Sequence, residues 1–269
     1  MKIFGILNVT EDSFSDGGKY FEFENSIQKG IELIHEGADV IDIGAQSSNI
    51  NCKLISPELE WERIEKQIKY FQSQKIEISV DTYKPRVIQK CIKAKVDYIN
   101  NINSFYTKES LDILQEYKNE LPYLILMFSH NQGDKASQNS NLDRNSIVDT
   151  IFKFFDFKIQ ELLKIGIPEE KLIFDPGMGL FLGEDPYLSI KVLQEIKTFK
   201  SKLGKIMVSV SRKSFIGNLL GGVPPENREV GTLACELFLY SNQIEYIRTH
   251  NVKQLKDAIH ITEILLSHF

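Results

Sequence analysis

Short apolar runs alternate along the chain with longer amphipathic stretches. The runs cover residues 3–9, 40–43, 76–80, 98–102, 123–128, 172–174, 206–210 and 246–248. Short runs of this kind, mostly apolar and rich in β-branched and aromatic residues, predict buried strands. The stretches between them carry helix signals. One helix runs from about Glu24 to Glu36 and is closed by Gly37. The next opens at Ser56-Pro57-Glu58, an N-cap followed by proline at the first helical position. Others open at Pro85 and at Lys108. A polar loop over 129–141 precedes a long helix to Ile165, a further helix spans about 186–200, and a last one closes the chain at Phe269.

Strands alternating with helices call for a parallel sheet, because parallel neighbours need crossover connections. Eight such units predict a closed (β/α)8 TIM barrel, with residues 1–269 as a single domain. An open doubly wound sheet is the alternative, and the lack of a GxGxxG after the first run counts against it. In a (β/α)8 barrel the chemistry lies at the C-terminal strand ends. Those ends carry Asn8, Asp42, Asp81, Asn100 with Asn101, Asp175, Ser211 to Ser214, and Arg248 with His250. Any one of them alone is an ordinary turn or cap residue. Together they predict a polar ring at one mouth.

The ring is divided. Carboxylates and amides come from the second, third, fourth and sixth runs, and Arg, Lys, His and Asn from the seventh, eighth and first. A ligand with a donor-rich flat ring and an anionic end fits that division. A carboxylate accepts paired N–H groups from a guanidine-like edge, and an arginine fork matches phosphate oxygens. The chain has 269 residues, 26% of them charged, and a net charge of −5. No basic field covers it, so neither nucleic acid nor an acidic membrane surface is expected as the main partner. The three cysteines are far apart without metal-ligand spacing, which fits reduced thiols in the cytoplasm. The opening apolar run is too short for a secretion signal, and no run approaches the ~18 apolar residues of a membrane span.

Seven stretches resemble dihydropteroate synthases: ILNVTEDSFSDGG (6–18), GADVIDIGAQS (37–47), ISVDTYKP (78–85), YINN (98–101), FDPGMG (174–179), SVSRKSFIG (209–217) and IRTHNV (247–252). The first and the SRKSFIG stretch are specific; VDT and DPG are weak singly. The resemblance implies a (β/α)8 barrel that joins dihydropterin hydroxymethyl diphosphate to p-aminobenzoate. It implies that Asp81, Asn100, Asp175 and Lys213 hold the pterin, with Asp42 beside the pterin–diphosphate junction. Arg248, His250 and Asn8 would hold the diphosphate, with Mg²⁺ near Asn8. Phe14 and Asp16 would close over the reacting methylene, Asp16 and Lys213 acting in catalysis. Ser214 would meet the p-aminobenzoate carboxylate, and Ser48 would lie in that substrate's loop. A homodimer is also implied.

Departures from the family pattern cluster around the second substrate. The usual GGESTRPG is here Gly44-Ala45-Gln46-Ser47-Ser48-Asn49-Ile50-Asn51, without the arginine and the stiff proline. The usual Gly-Phe-Gly-Lys becomes Gly179-Leu180-Phe181-Leu182, which removes a ring contact and a lysine. The reading is therefore a synthase with an altered p-aminobenzoate pocket and lowered sensitivity to sulfonamides. A pterin-binding paralogue without turnover and a methyltetrahydrofolate-type methyltransferase are the alternatives.

Overall fold

The computed structural model describes residues 1–10, 18–47 and 52–267, with residues 18–22 described by backbone alone. The eight parallel strands are β1 (Lys2–Asn8), β2 (Val40–Gly44), β3 (Glu77–Asp81), β4 (Tyr98–Asn101), β5 (Tyr123–Met127), β6 (Leu172–Asp175), β7 (Met207–Val208) and β8 (Tyr246–Thr249). They pair in the order β6-β5-β4-β3-β2-β1-β8-β7. A parallel bridge from Phe174 to Ile206 joins the two ends, and the Phe174 N–H donates to the Lys205 carbonyl at 2.9 Å. The barrel is thus closed, as the alternation predicted. The seventh run was expected to be a strand to 210. It leaves the ladder after Val208, so Ser209 onward is free to turn into the mouth.

Around the barrel lie α1 (Gly18–His35), α2 (Pro57–Ser73), α3 (Pro85–Lys93), α4 (Lys108–Glu116), α5 (Ile147–Lys164), α6 (Pro186–Gln194), α7 (Ile196–Leu203), α8 (Ser214–Leu219), α9 (Glu229–Ser241) and α10 (Val252–Leu266). The Ser56 hydroxyl accepts the Leu59 N–H at 3.1 Å, the cap its sequence foretold. The single helix expected over 186–200 is two, parted at Glu195, with no glycine or proline marking the break.

Side chains alternate between the two faces of a strand, so residues two apart share a face. Here that rule sorts the molecule. Outward residues such as Ile41, Ile78, Val80, Ile99, Leu124 and Ile247 join the core under the helices. Phe4, Val40, Tyr98, Ile125, Ile173 and Met207 form a separate buried cluster that plugs the barrel. Two residues past the plug, the same inward face carries Asp42, Asn100, Asp175, Ser209 and Arg248. The apolar layer is the floor on which the polar mouth stands.

The dense aromatics of α5 are mostly absorbed by this core. Phe152 packs on Phe199, Phe154 on Phe128 and Phe155 on Phe174. Phe157 alone of the four is exposed, at 63%. On α10, Val252, Leu255 and Ile259 are buried at spacings of three and four. Of the other residues expected on that packing face, Ile261 and Leu265 fall on the opposite side of the helix and point outward, whereas Leu266 shares the buried side but is exposed at the helix end.

Gly30 tests the packing. A Cβ there would lie 2.2 Å from Cζ of Phe71, a fully buried ring. Gly-to-Ala in an exposed helix gains about 1 kcal/mol, but overpacking costs about 1–3 kcal/mol. Gly30→Ala is expected to lower stability in urea unfolding. A variant as stable as the parent would refute the close α1–α2 contact.

Candidate active site

The polar residues of the inward face converge on Arg248. Its Nε donates to Asp42 Oδ2 at 2.5 Å, and its Nη2 to Asp81 Oδ2 at 2.8 Å. One guanidinium from β8 is thus shared by carboxylates from β2 and β3. Guanidinium carries five N–H donors, so others remain after these two bonds. A cavity of about 400 Å³ opens beside it, lined among others by Asn8, Asp81, Lys213, Ser214, Arg248 and His250. Asn100 and Asp175, expected to hold the pterin, lie outside this lining, and so does Asp42, expected beside the pterin–diphosphate junction. Asp42 is fully buried under Arg248, and its Oδ1 has no hydrogen-bond partner among the described residues.

Charge balance explains the titration of the group. Burial opposes the charge on Arg248, but Asp42 and Asp81 outweigh it and raise its pKa. Burial pushes Asp81 above the ordinary carboxylate range, against Arg248 and with the help of Asp42. Asp175 is raised from 3.8 to about 6 by burial, although its Oδ1 accepts the Gly177 N–H at 2.8 Å. Burial and the nearby Arg248 lower Lys213 to about 8, opposed by Asp175 and Asp81. His250 is pushed down to about 3 by burial, then by Arg248, Arg212 and Lys213. The imidazole beside Arg248 is therefore neutral and serves as a hydrogen-bonding group, whereas Arg248 carries charge.

The paired asparagines divide. Asn101 is structural: its amide donates to the Thr82 carbonyl at 3.1 Å and accepts the Asn103 and Phe105 N–H groups. Asn100 is buried in register with Asp81, and its side chain has no hydrogen-bond partner among the described residues. Lys213 ends the loop after β7, with Nζ 4.6 Å from the centre of the Phe181 ring. Phe181 was missed. The Gly-Phe-Gly-Lys change predicts a lost ring contact, whereas Phe181, one place beyond Leu180, supplies an aromatic wall to the cavity. The Gly179 backbone reaches the Ser214 hydroxyl closely enough that a Cβ would stand 2.9 Å from its oxygen.

Arg228 also lines the cavity and was not foreseen. Its Nε donates to the Val223 carbonyl at 3.0 Å and its Nη1 to the Arg212 carbonyl at 2.8 Å. It braces the turn at Arg212, whose φ is +59°. Gln46, where the family pattern has glutamate, ties the two sides of the departing loop. Its Oε1 accepts the Ile55 N–H at 2.9 Å and Lys84 Nζ at 3.2 Å, and Lys84 meets the buried Glu60 at 2.5 Å. Phe14, Asp16 and Ser48 lie outside the described residues.

A closed (β/α)8 barrel with buried acids and an amide facing a lysine, an arginine and a neutral imidazole is an enzyme scaffold for a polar ring bearing an anion. The pterin binding enzyme family matches residues 4–250. The type-3 dihydropteroate synthase of Escherichia coli is 39% identical over 265 residues, covering 98% of this chain and 99% of that protein. The crystal structure of the Clostridium difficile dihydropteroate synthase, in the presence of pteroic acid, superposes with a TM-score of 0.86 at 30% identity, over 100% of this chain and 97% of that one. The Xanthomonas albilineans dihydropteroate synthase with 4-aminobenzoic acid gives 0.87 at 28% identity, over 100% and 94%. The chain belongs to the dihydropteroate synthases, transferases among the pterin binding enzymes.

Asp175 gives a pH test. Its folded pKa, about 6, lies above the ordinary 3.8. Between these values the fold holds a proton that the unfolded chain has lost, which favours the fold at low pH and is lost as pH rises through about 6. Asp175→Asn lacks this dependence. Its stability relative to the parent is expected to improve by up to about 3 kcal/mol from pH ~4 to ~7 in urea unfolding. Parallel profiles for the two proteins would contradict the burial effect.

Proposed function

We propose that the chain condenses 6-hydroxymethyl-7,8-dihydropterin diphosphate with p-aminobenzoate, giving 7,8-dihydropteroate and diphosphate. The observation that carries this reading is the opposed mouth: buried acceptors on one side, and Lys213, Arg248 and His250 on the other. The relatives crystallised with pteroic acid and with 4-aminobenzoic acid lend it support. Asp175, Asn100 and Asp81 take the donor edge of the pterin, and Lys213 lies at its face or edge. Arg248 keeps Asp42 and Asp81 and turns its remaining N–H groups to the diphosphate, beside His250 and Asn8. Asp42 acts through Arg248.

As the C–O bond to diphosphate breaks, the aniline nitrogen forms the C–N bond to the same methylene and then loses a proton. The nitrogen is a neutral nucleophile at physiological pH, so positioning and charge stabilisation carry most of the work. Ser214, at the far side of Lys213, receives the p-aminobenzoate carboxylate. Ser48 belongs to that substrate's loop, and Phe14 and Asp16 to the loop over the methylene, with Asp16 stabilising positive charge on the reacting carbon.

Asn8 offers one amide oxygen, and the described residues include no cluster of His, Cys, Asp or Glu suited to a metal. That donor set fits Mg²⁺ arriving on the diphosphate rather than a resident ion. So bound, the ion would neutralise departing charge. Phe157 of α5, the exposed member of the aromatic cluster, is the apolar residue for the expected homodimer contact, and sedimentation checks the assembly directly. A cytoplasmic location accords with three free cysteines and with helices too short or polar to cross a membrane among the described residues.

Diphosphate release from the two substrates tests the function. Steady turnover is expected. Pterin binding without turnover would replace the synthase by a binding protein. Lys213→Met removes a charged hydrogen-bond donor, so kcat/KM is expected to fall about 10- to 100-fold. An unchanged value would remove Lys213 from the site.

A further inference from the structure

We propose that Ser211 is a positioning residue that fixes His250 as its Nε2–H tautomer and so presents one N–H donor to the leaving diphosphate. The proposal rests on the reading of the site given above. Ser211 is the first residue of the SRKS stretch and has no part in the mechanism so far. Its side chain is buried just past β7 and faces the residue that follows β8. Its Oγ accepts the backbone N–H of His250 at 3.2 Å and lies 2.9 Å from Nδ1 of the same ring.

The two contacts settle the direction of the second bond. A hydroxyl has one hydrogen to give and two lone pairs to offer. One lone pair of Ser211 is engaged by the main chain of His250. The acceptor within reach of its hydrogen, among the described residues, is Nδ1. If Nδ1 carried the proton instead, Oγ would face two donors and its own hydrogen would lack an acceptor. A buried polar group left so costs about 1–3 kcal/mol. Nδ1 is therefore the acceptor, and a neutral ring then holds its proton on Nε2. Burial, then the positive charges of Arg248, Arg212 and Lys213, disfavour a second proton on the ring.

The consequence reaches the ligand. A neutral imidazole turned the other way would present a lone pair to phosphate oxygens and repel them. With Nε2–H it donates, adding direction to the charge of Arg248 without a further cation in a crowded site. Both atoms of the Ser211 hydroxyl are needed: the oxygen holds the main chain at His250, and the hydrogen selects the tautomer.

The tautomer is read by proton–nitrogen correlation spectra of the isotope-labelled full chain at neutral pH, with His250 assigned by its loss in His250→Gln. Inorganic diphosphate is then titrated calorimetrically into the parent, Ser211→Ala and Ser211→Thr. The parent is expected to show Nε2–H and to bind diphosphate. Ser211→Ala should mix the tautomers and weaken diphosphate binding about tenfold, while Ser211→Thr, which keeps the hydroxyl, should preserve both. Nδ1–H in the parent overturns the proposal. So does a parent that binds no diphosphate, or Ser211→Ala with an unchanged tautomer, whatever its affinity. The spectra need no substrate, so a parent that shows Nε2–H and binds diphosphate but makes no dihydropteroate would sink the catalytic reading and leave the tautomer standing.

Discussion

Arg248 is the constraint on which the mouth of this barrel depends. A guanidinium cannot lose its proton and is costly to bury without opposite charge. Asp42 and Asp81 answer that need from two other strands. Replacing such a buried group by apolar side chains often leaves a fold as stable or more so, so the arrangement earns its place through what Arg248 can still bind. The rest of the electrostatics follows from it. Burial, with Asp42 alongside, holds Asp81 high against the pull of Arg248, and burial together with the guanidinium drives Lys213 and His250 toward neutrality. A diphosphate entering this site would reverse part of that balance by favouring the charged form of Lys213.

Much of this was legible in the chain before its structure. Each strand had a mostly apolar run, and the polar residues at its C-terminal end marked the mouth. Asp175 and Arg248 were found that way. The run alone hides its two faces, since buried parallel strands are apolar on both. The closed barrel brings out the order within the inward face, with an apolar plug and then a polar layer two residues on. That order put Asp42 under Arg248 instead of on the cavity wall. Phe181 and Arg228 escaped for a different reason. Both come from connections rather than strand ends, and only packing between neighbouring loops brings them to Lys213 and Arg212. Phe14, Asp16 and Ser48 lie beyond the described residues, so their roles rest on the resemblance.

The two halves of the site differ in how they are built. The acids, the asparagine and Arg248 stand on strands whose outer faces are locked into the core. Arg228 and Gln46 belong to connections held by hydrogen bonds to main-chain carbonyls or N–H groups, and Ser214 opens α8 close to the Gly179 backbone. The departures from the family sequence fall on the second kind. Loops vary without disturbing the barrel that carries them, and here variation is accommodated by local ties: Gln46 to Ile55 and Lys84, and Phe181 beneath Lys213. In the proposed function the first substrate is bound by residues of the barrel, and the second by connections free to diverge.

The central claim is that Arg248 receives the diphosphate while still held by its acids. A crystal structure of the chain with 6-hydroxymethyl-7,8-dihydropterin diphosphate tests it most directly. The account predicts that Arg248 keeps its bond to Asp42 and donates its free N–H groups to the diphosphate, with the pterin edge on Asp175. A diphosphate seated away from Arg248, or a pterin edge remote from Asp175, would contradict it.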